Sequence, residues 1–309
     1  VGFAIGMFMG ILNGLHFFIP SVPTIGKPIN IGQYFTERPL DAIGWLPIAV
    51  HPFAVGLGFF IPVDLSFSFW FFYFFWKFEK VLASMTGLQM PGFPFIDEQT
   101  TGAYIGFALA ALWMARKHLQ RMFQFTVPRA VQRKSPDRVP PFAIGAVLVG
   151  GIGITAFCLK AGMGFKSILI FFSIYYLISI SIGRIRAELG SPVHDLHFSG
   201  PGRMMVSLFG TRRFSPADLT VISLFWYFNR AYRSHPMPCI LEGFKLGERT
   251  GITPLKISAY VLFAAVIGTL CGFWAHLQAA YHHGAGGRLW PAYETFNRLS
   301  YWLTTPMGG

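Results

Sequence analysis

Acid is scarce in this chain. Of 309 residues only 13 are Asp or Glu, against 25 Lys or Arg, and charged residues make up 12% of the whole. Soluble domains carry roughly 25%, so about half of the usual solvating surface is missing. Cysteine is scarce too. Cys158, Cys239 and Cys271 show no metal-ligand spacing, and two of them fall inside apolar runs, which argues against a disulfide framework or a zinc site. The chain has no Gly-rich phosphate loop, no His-Glu-x-x-His and no nucleophile elbow. The expectation is therefore a protein that is not an enzyme, and no cofactor can be read. The opening run also lacks the charged region and cleavage site of a secretory signal. Val1 stands inside an apolar run and the chain closes on Pro306-Met307-Gly308-Gly309. Neither end reads as a natural terminus, so part of a longer polypeptide is expected.

Apolar and aromatic residues are abundant: 53% of the chain is hydrophobic, with 34 Phe and 8 Trp, and the mean hydropathy is +0.49. Aromatic bodies suit lipid contact and interfacial belts. A net charge of +12 would ordinarily suggest nucleic acid. Here the excess flanks apolar runs, so the expected partner is the bilayer with its anionic headgroups, and no nucleic acid.

The clearest pattern is a pair of charge-free runs, Phe142 to Leu159 and Ser167 to Gly183. Each is long enough to cross a hydrocarbon core of about 30 Å. Before them come Arg116, Lys117, Arg121, Arg129, Arg133, Lys134 and Arg138; after them come Arg184, Arg186, Arg203, Arg212 and Arg213. By the positive-inside rule both blocks lie in the cytoplasm, and residues 160–166 lie on the other side.

Further spans are expected near residues 1–19, 63–80, 102–123 and 257–276. Gly2, Gly6, Gly10 and Gly14 recur every four residues, and Gly268 and Gly272 repeat the spacing. Such faces let another helix approach closely. Between 44 and 62 the chain is apolar but broken by Pro47, Pro52, Gly56, Gly58 and Pro62, which regular helix does not survive. In a membrane, irregular backbone persists only where protein buries it or where it lines a wet cavity. Residues 184–256 contain no convincing span and read as a cytoplasmic or interfacial region. Leu219 to Phe228, with Ser215-Pro216 and Asp218 ahead, reads as a capped helix lying in the membrane surface. The stretch holding Trp290, Tyr293, Tyr301 and Trp302 reads as a loop. The fold expected is all-α, a polytopic transmembrane bundle over residues 1–309 with broken or re-entrant segments and an interfacial amphipathic helix.

Two polar constellations could carry chemistry. Arg184, Arg186, Glu188, His194, Asp195 and His197 supply imidazoles and carboxylates suited to a divalent metal, or the arginines pair with the acids and no metal is needed. His51 and Asp64 flank the broken segment, where ionisable groups at membrane depth are usually paired or functional. Asp64 could couple to protons or to a cationic substrate group, or cap the helix that follows. Glu98, beside Asp97 at another helix start, has the same two readings.

The run His51-Pro52-Phe53-Ala54-Val55-Gly56-Leu57-Gly58-Phe59-Phe60-Ile61-Pro62-Val63-Asp64-Leu65-Ser66-Phe67-Ser68, with Arg184 to Arg203, resembles an uncharacterised group of large bacterial polytopic membrane proteins that are similar to oligopeptide transporters. That resemblance implies a secondary carrier, or a fragment of one, in a bacterial inner membrane, with a small peptide or metal chelate as substrate. It transfers no substrate residue. The alternative is a non-catalytic subunit that packs against other transmembrane chains in a larger assembly.

Overall fold

Breakers and apolar runs together set where the helices start and stop. The structure, a computed structural model, describes residues 2–24, 28–88, 90, 92–122, 141–190, 195–197, 199–284 and 290–305. Twelve α-helices occur among them, with a single two-stranded sheet. The chain folds as two units, residues 1–96 with 189–192, and residues 97–188 with 193–309.

In the first unit, α1 (Gly2–Phe18) is apolar and ends before Pro20. A short antiparallel pair, β1 (Ile29–Asn30) with β2 (Pro47–Ile48), follows. The 44–62 stretch is broken as expected, yet it contains a regular helix, α2 (Pro52–Phe60). Pro52 stands in the first turn, where its missing N–H is not needed, and the break falls at Ile61–Pro62. Then α3 (Val63–Thr86) runs to a left-handed Gly87. The backbone freed before the break is satisfied within the protein. Asn30 Oδ1 accepts from Leu46 N–H at 2.8 Å, and the buried Lys77 ammonium donates to the carbonyls of Ile43 at 2.9 Å and Trp45 at 2.6 Å.

The second unit holds α4 (Ile96–Met122), α5 (Pro141–Lys160), α6 (Phe165–Leu189) and α11 (Pro254–His283). Among the described residues three segments are long and apolar enough to cross a membrane: Ala143–Lys160, Phe165–Leu189 and Pro254–His283. This is the composition of an integral membrane protein with a lipid environment. Residues 123–140, which carry much of the first basic block, lie outside the described residues, as do the last four.

Between these spans the chain makes a hairpin of broken helices: α7 (Pro201–Phe209), a 3-10 turn over Thr211–Arg213, α8 (Pro216–Leu224) and α9 (Trp226–Asn229). Its contacts climb α6 in order. Asp218 Oδ1 accepts from Gly164 N–H at 2.7 Å, Phe225 meets Phe171 with ring centroids 5.3 Å apart, and Phe228 meets Tyr175 at 5.4 Å. His235 bonds Ser179 at 2.9 Å, and Arg186 donates to Glu242 at 2.7 Å. The returning leg therefore runs parallel to α6. The outgoing leg descends beside it: Leu196 packs with Ile178 and Ile182, His197 bridges Ala231, and Gly202 lies against Ile222. At ~1.5 Å per residue, about 21 Å of helix separates Gly164 from Ile178, some two-thirds of the ~30 Å hydrocarbon thickness.

Two expectations change in this unit, the shared face of residues 184–213 and the loop after 290. Leu219 to Phe228 does form a helix capped by Ser215, with Asp218 closing a capping box. Leu219, Val221, Ile222 and Trp226 are buried inside the unit, while Leu224 and Tyr227 stay exposed. Arg212 and Arg213 stand beside the 160–166 turn, at the opposite end of α6 from Arg184 and Arg186, so residues 184–213 do not share one face. An amphipathic helix occurs later, α10 (Pro236–Thr250). Its Met237 and Leu241 fill the space that Gly183 leaves on α6. The expected loop after 290 is α12 (Trp290–Thr304), whose Thr295, Leu299 and Trp302 face the unit's interior at helical spacing.

Candidate functional site

The start of α4, the outgoing α7, the α8–α9 leg and α12 enclose a charged groove. A chamber of about 430 Å³ is lined by Glu98, Arg203, Ser207, Trp226, Glu294, Arg298 and Trp302 with apolar neighbours. A smaller one of about 80 Å³ adjoins it, sharing Glu98, Arg203 and Ser207 and adding Asp97 and Thr101. Gly202, in the groove wall, lies next to Phe171 of the membrane-spanning α6. The groove thus sits alongside the apolar span and not beyond its ends.

Its charges fall into pairs with a remainder. Asp97 is held by Arg203 at 2.6 Å. Glu294 accepts from the Trp226 indole N–H at 3.1 Å and from Arg230 at 2.9 Å. Arg298 donates to the Ser223 carbonyl at 3.2 Å and to its hydroxyl at 3.4 Å, its guanidinium lying 4.0 Å from the Trp226 ring and 5.2 Å from that of Trp302. The Arg298 Nε is buried without a hydrogen-bond partner. Burial pushes this guanidinium down to about 10, against the upward pull of the Glu294 carboxylate. It therefore stays charged at neutral pH. Among the described residues Glu98 accepts the Ser207 hydroxyl, at 3.3 Å. Among the described residues neither Arg298 nor Glu98 has an ion-pair partner, and both line the same chamber.

A chain of polar contacts leads away from the groove. Arg230 Nη1 is 3.0 Å from His197 Nε2, and arginine only donates, so that nitrogen accepts. The proton is then on Nδ1, which faces Asp195 Oδ2 at 3.5 Å; Arg233 donates to the same oxygen at 2.7 Å.

The sequence-predicted residues distribute unevenly. Glu98 is in the groove wall. In the constellation from Arg184 to His197, Arg184 pairs with Glu188 at 2.6 Å, Arg186 with Glu242, and Asp195 with Arg233, while His194 lies outside the described residues. Among the described residues no three His, Cys, Asp or Glu side chains group as a metal site would require. His51 precedes α2 without a capping bond. Asp64 is exposed in the first turn of α3, where a negative charge favours the helix dipole. Neither residue lines the groove. Gly2 opens α1; along that helix none of the described residues lies within 4 Å of where side chains of Gly6, Gly10 or Gly14 would begin, and Gly268 and Gly272 on α11 are equally open. Arg298, Glu294 and Trp226 escaped the sequence reading: Glu294 and Arg298 share α12, a stretch that reads as a loop, and Trp226 comes from the distant α9.

The chain belongs to a family described as Family of unknown function (DUF6785), which matches residues 1–308. No curated protein and no solved structure matches it.

Proposed function

We propose that this member of the family is a membrane carrier, or part of one, whose substrate occupies the groove around Arg298 and Glu98. One observation carries the reading: a cation and an anion without ion-pair partners face a single chamber built on broken helices that run beside a membrane-spanning helix. Charged groups at that depth are costly unless paired or used, and discontinuous helices are how many secondary carriers build their sites. A ligand bearing both carboxylate and ammonium, such as a small peptide, would complete both charges. A metal chelate rich in carboxylates would engage Arg298 first. The reading places the C-terminal ends of α4 and α6, with Arg116, Lys117, Arg121, Arg184 and Arg186, in the cytoplasm. It contains no catalytic step, and it moves the substrate path away from Asp64.

The full protein in proteoliposomes, offered a mixture of di- and tripeptides, should accumulate some of them. Arg298→Lys and Glu98→Gln should lower uptake at least tenfold with unchanged melting, and Asp64→Asn should not.

A second reading, a structural subunit, has its own observation. No residue of α11 is buried, and among the described residues nothing meets the glycine faces of α1 and α11. Absence of uptake for every peptide, together with copurification of other transmembrane chains at fixed stoichiometry, would establish that reading instead.

A further inference from the structure

The hairpin brings four cations to one end of the second unit. Lys160 closes α5 and Lys166 opens α6, on either side of the turn through Gly162 and Gly164. The hairpin tip is fastened to that turn by one carboxylate. Asp218 Oδ1 takes the Gly164 N–H, while its Oδ2 accepts from the Ser215 hydroxyl at 2.7 Å and the Ser215 N–H at 3.1 Å. Ala217 also packs on Gly162, where an added methyl would stand 3.2 Å from its Cβ. Arg212 and Arg213 lie within three residues of Ser215, which is at most about 11 Å of chain.

All four cations are exposed, and none is in an ion pair among the described residues. The one acid in these two turns is Asp218, which is buried and already committed to the fastening. Directly beside the charges the surface is apolar and open. Leu159 is 48% exposed, and Phe165 and Leu169 are each 60% exposed. Cations bordering an exposed apolar belt are what a protein presents to lipid at the junction of headgroups and acyl chains.

We propose that Lys160, Lys166, Arg212 and Arg213 form a docking surface for anionic phospholipid headgroups, at the membrane face opposite Arg184 and Arg186. The apolar belt selects a lipid over a free anion, because headgroup and acyl chain are engaged together. The carrier reading is not needed for this, and either can fail alone.

The test uses the full protein in detergent, titrated with short-chain phosphatidylglycerol, phosphatidylcholine or inorganic phosphate while thermal unfolding is followed. Phosphatidylglycerol should raise the melting temperature in a saturable, salt-sensitive way, and phosphatidylcholine should not. The double variant Arg212→Gln/Arg213→Gln should weaken the phosphatidylglycerol response of the order of tenfold, since each cation near an anionic lipid surface contributes appreciably. Arg249→Gln, in α10, should leave it unchanged. Equal responses to both lipids, or an unchanged response in the double variant, would overturn the proposal. So would inorganic phosphate acting as strongly as phosphatidylglycerol, which would make the cluster a simple anion site.

Discussion

Leu219 to Phe228 and α11 are both apolar stretches of the second unit, and they end in different surroundings. The first is short, split between α8 and α9, and its Leu219, Val221 and Ile222 are buried in one cluster with Phe171 of α6 and Trp302 of α12. The second is the longest helix among the described residues, and none of its residues is buried. Glycines divide the same way. Gly202 and Gly183 are pressed by Ile222 and Met237, whereas Gly268 and Gly272 face open space. Apolarity shows that a segment avoids water; it does not show whether lipid or protein replaces the water.

The sharpest way to break this comparison is topological, because the expected outcome is all or none. With the exposed Cys239 and Cys271 first replaced by Ser, single cysteines at Gly162 and Arg212 should react together with an impermeant maleimide. A cysteine at Glu188 should react only from the other side. Arg212 labelling with Glu188 would return the hairpin to a surface position.

Gly202→Val comes next in size. The new Cβ would stand 2.6 Å from Ile222 Cγ2, well inside contact distance. Overpacking of this kind costs about 1–3 kcal/mol or more, and melting in detergent should drop accordingly. The matching Gly268→Val should leave melting nearly unchanged, and lost copurification of another chain in that variant would show that protein covers α11.

Asp218→Asn should cost about 1–3 kcal/mol, since the carboxylate's bonds join the α5–α6 turn to the hairpin. Burial raises the Asp218 carboxyl, but the bonds from Gly164, Ser215 and Ser167 outweigh it and hold the group below its usual 3.8. A carboxyl depressed in the fold stabilises above its unfolded value of about 3.9, and that contribution fades as pH falls through the lower folded value. The wild type should therefore lose stability in acid more steeply than Asp218→Asn, as melting curves between neutral pH and pH 3 would show.

The smallest effect sharpens the contrast most cleanly. Ile222→Val removes one methyl from a packed core and should cost about 0.5–1.5 kcal/mol. Ile267→Val on α11 should change melting by much less, because Ile267 is 43% exposed and no residue of its helix is buried. Equal losses would erase the distinction between the two stretches.

Much of the helical framework was legible in the sequence, for local reasons. Charge-free runs gave α5, α6 and α11. Ser215 and Asp218 announced the capped start of α8, whereas α2 was hidden, because the prolines and glycines between 44 and 62 read as excluding regular helix. The candidate site was legible only at Glu98. Its partners come from α7, α9 and α12, and α12 itself was hidden because its mixed polar and aromatic residues mimic an interfacial loop. Its inward face of Thr295, Leu299 and Trp302 takes on meaning only once α8 lies opposite.

Local chemistry, then, determined that this protein is helical and lives in a membrane: too few charges to solvate it, and runs long enough to span. Only the tertiary structure decided that residues 195–235 run along α6, that Arg212 and Arg213 stand at the far end from Arg184, and that Arg298 and Glu98 share a chamber. The physical reason is range. Hydropathy and capping act within a few residues, whereas bonds such as Gly164 to Asp218 and Ser179 to His235 join positions more than fifty residues apart, and no spacing rule reaches that far.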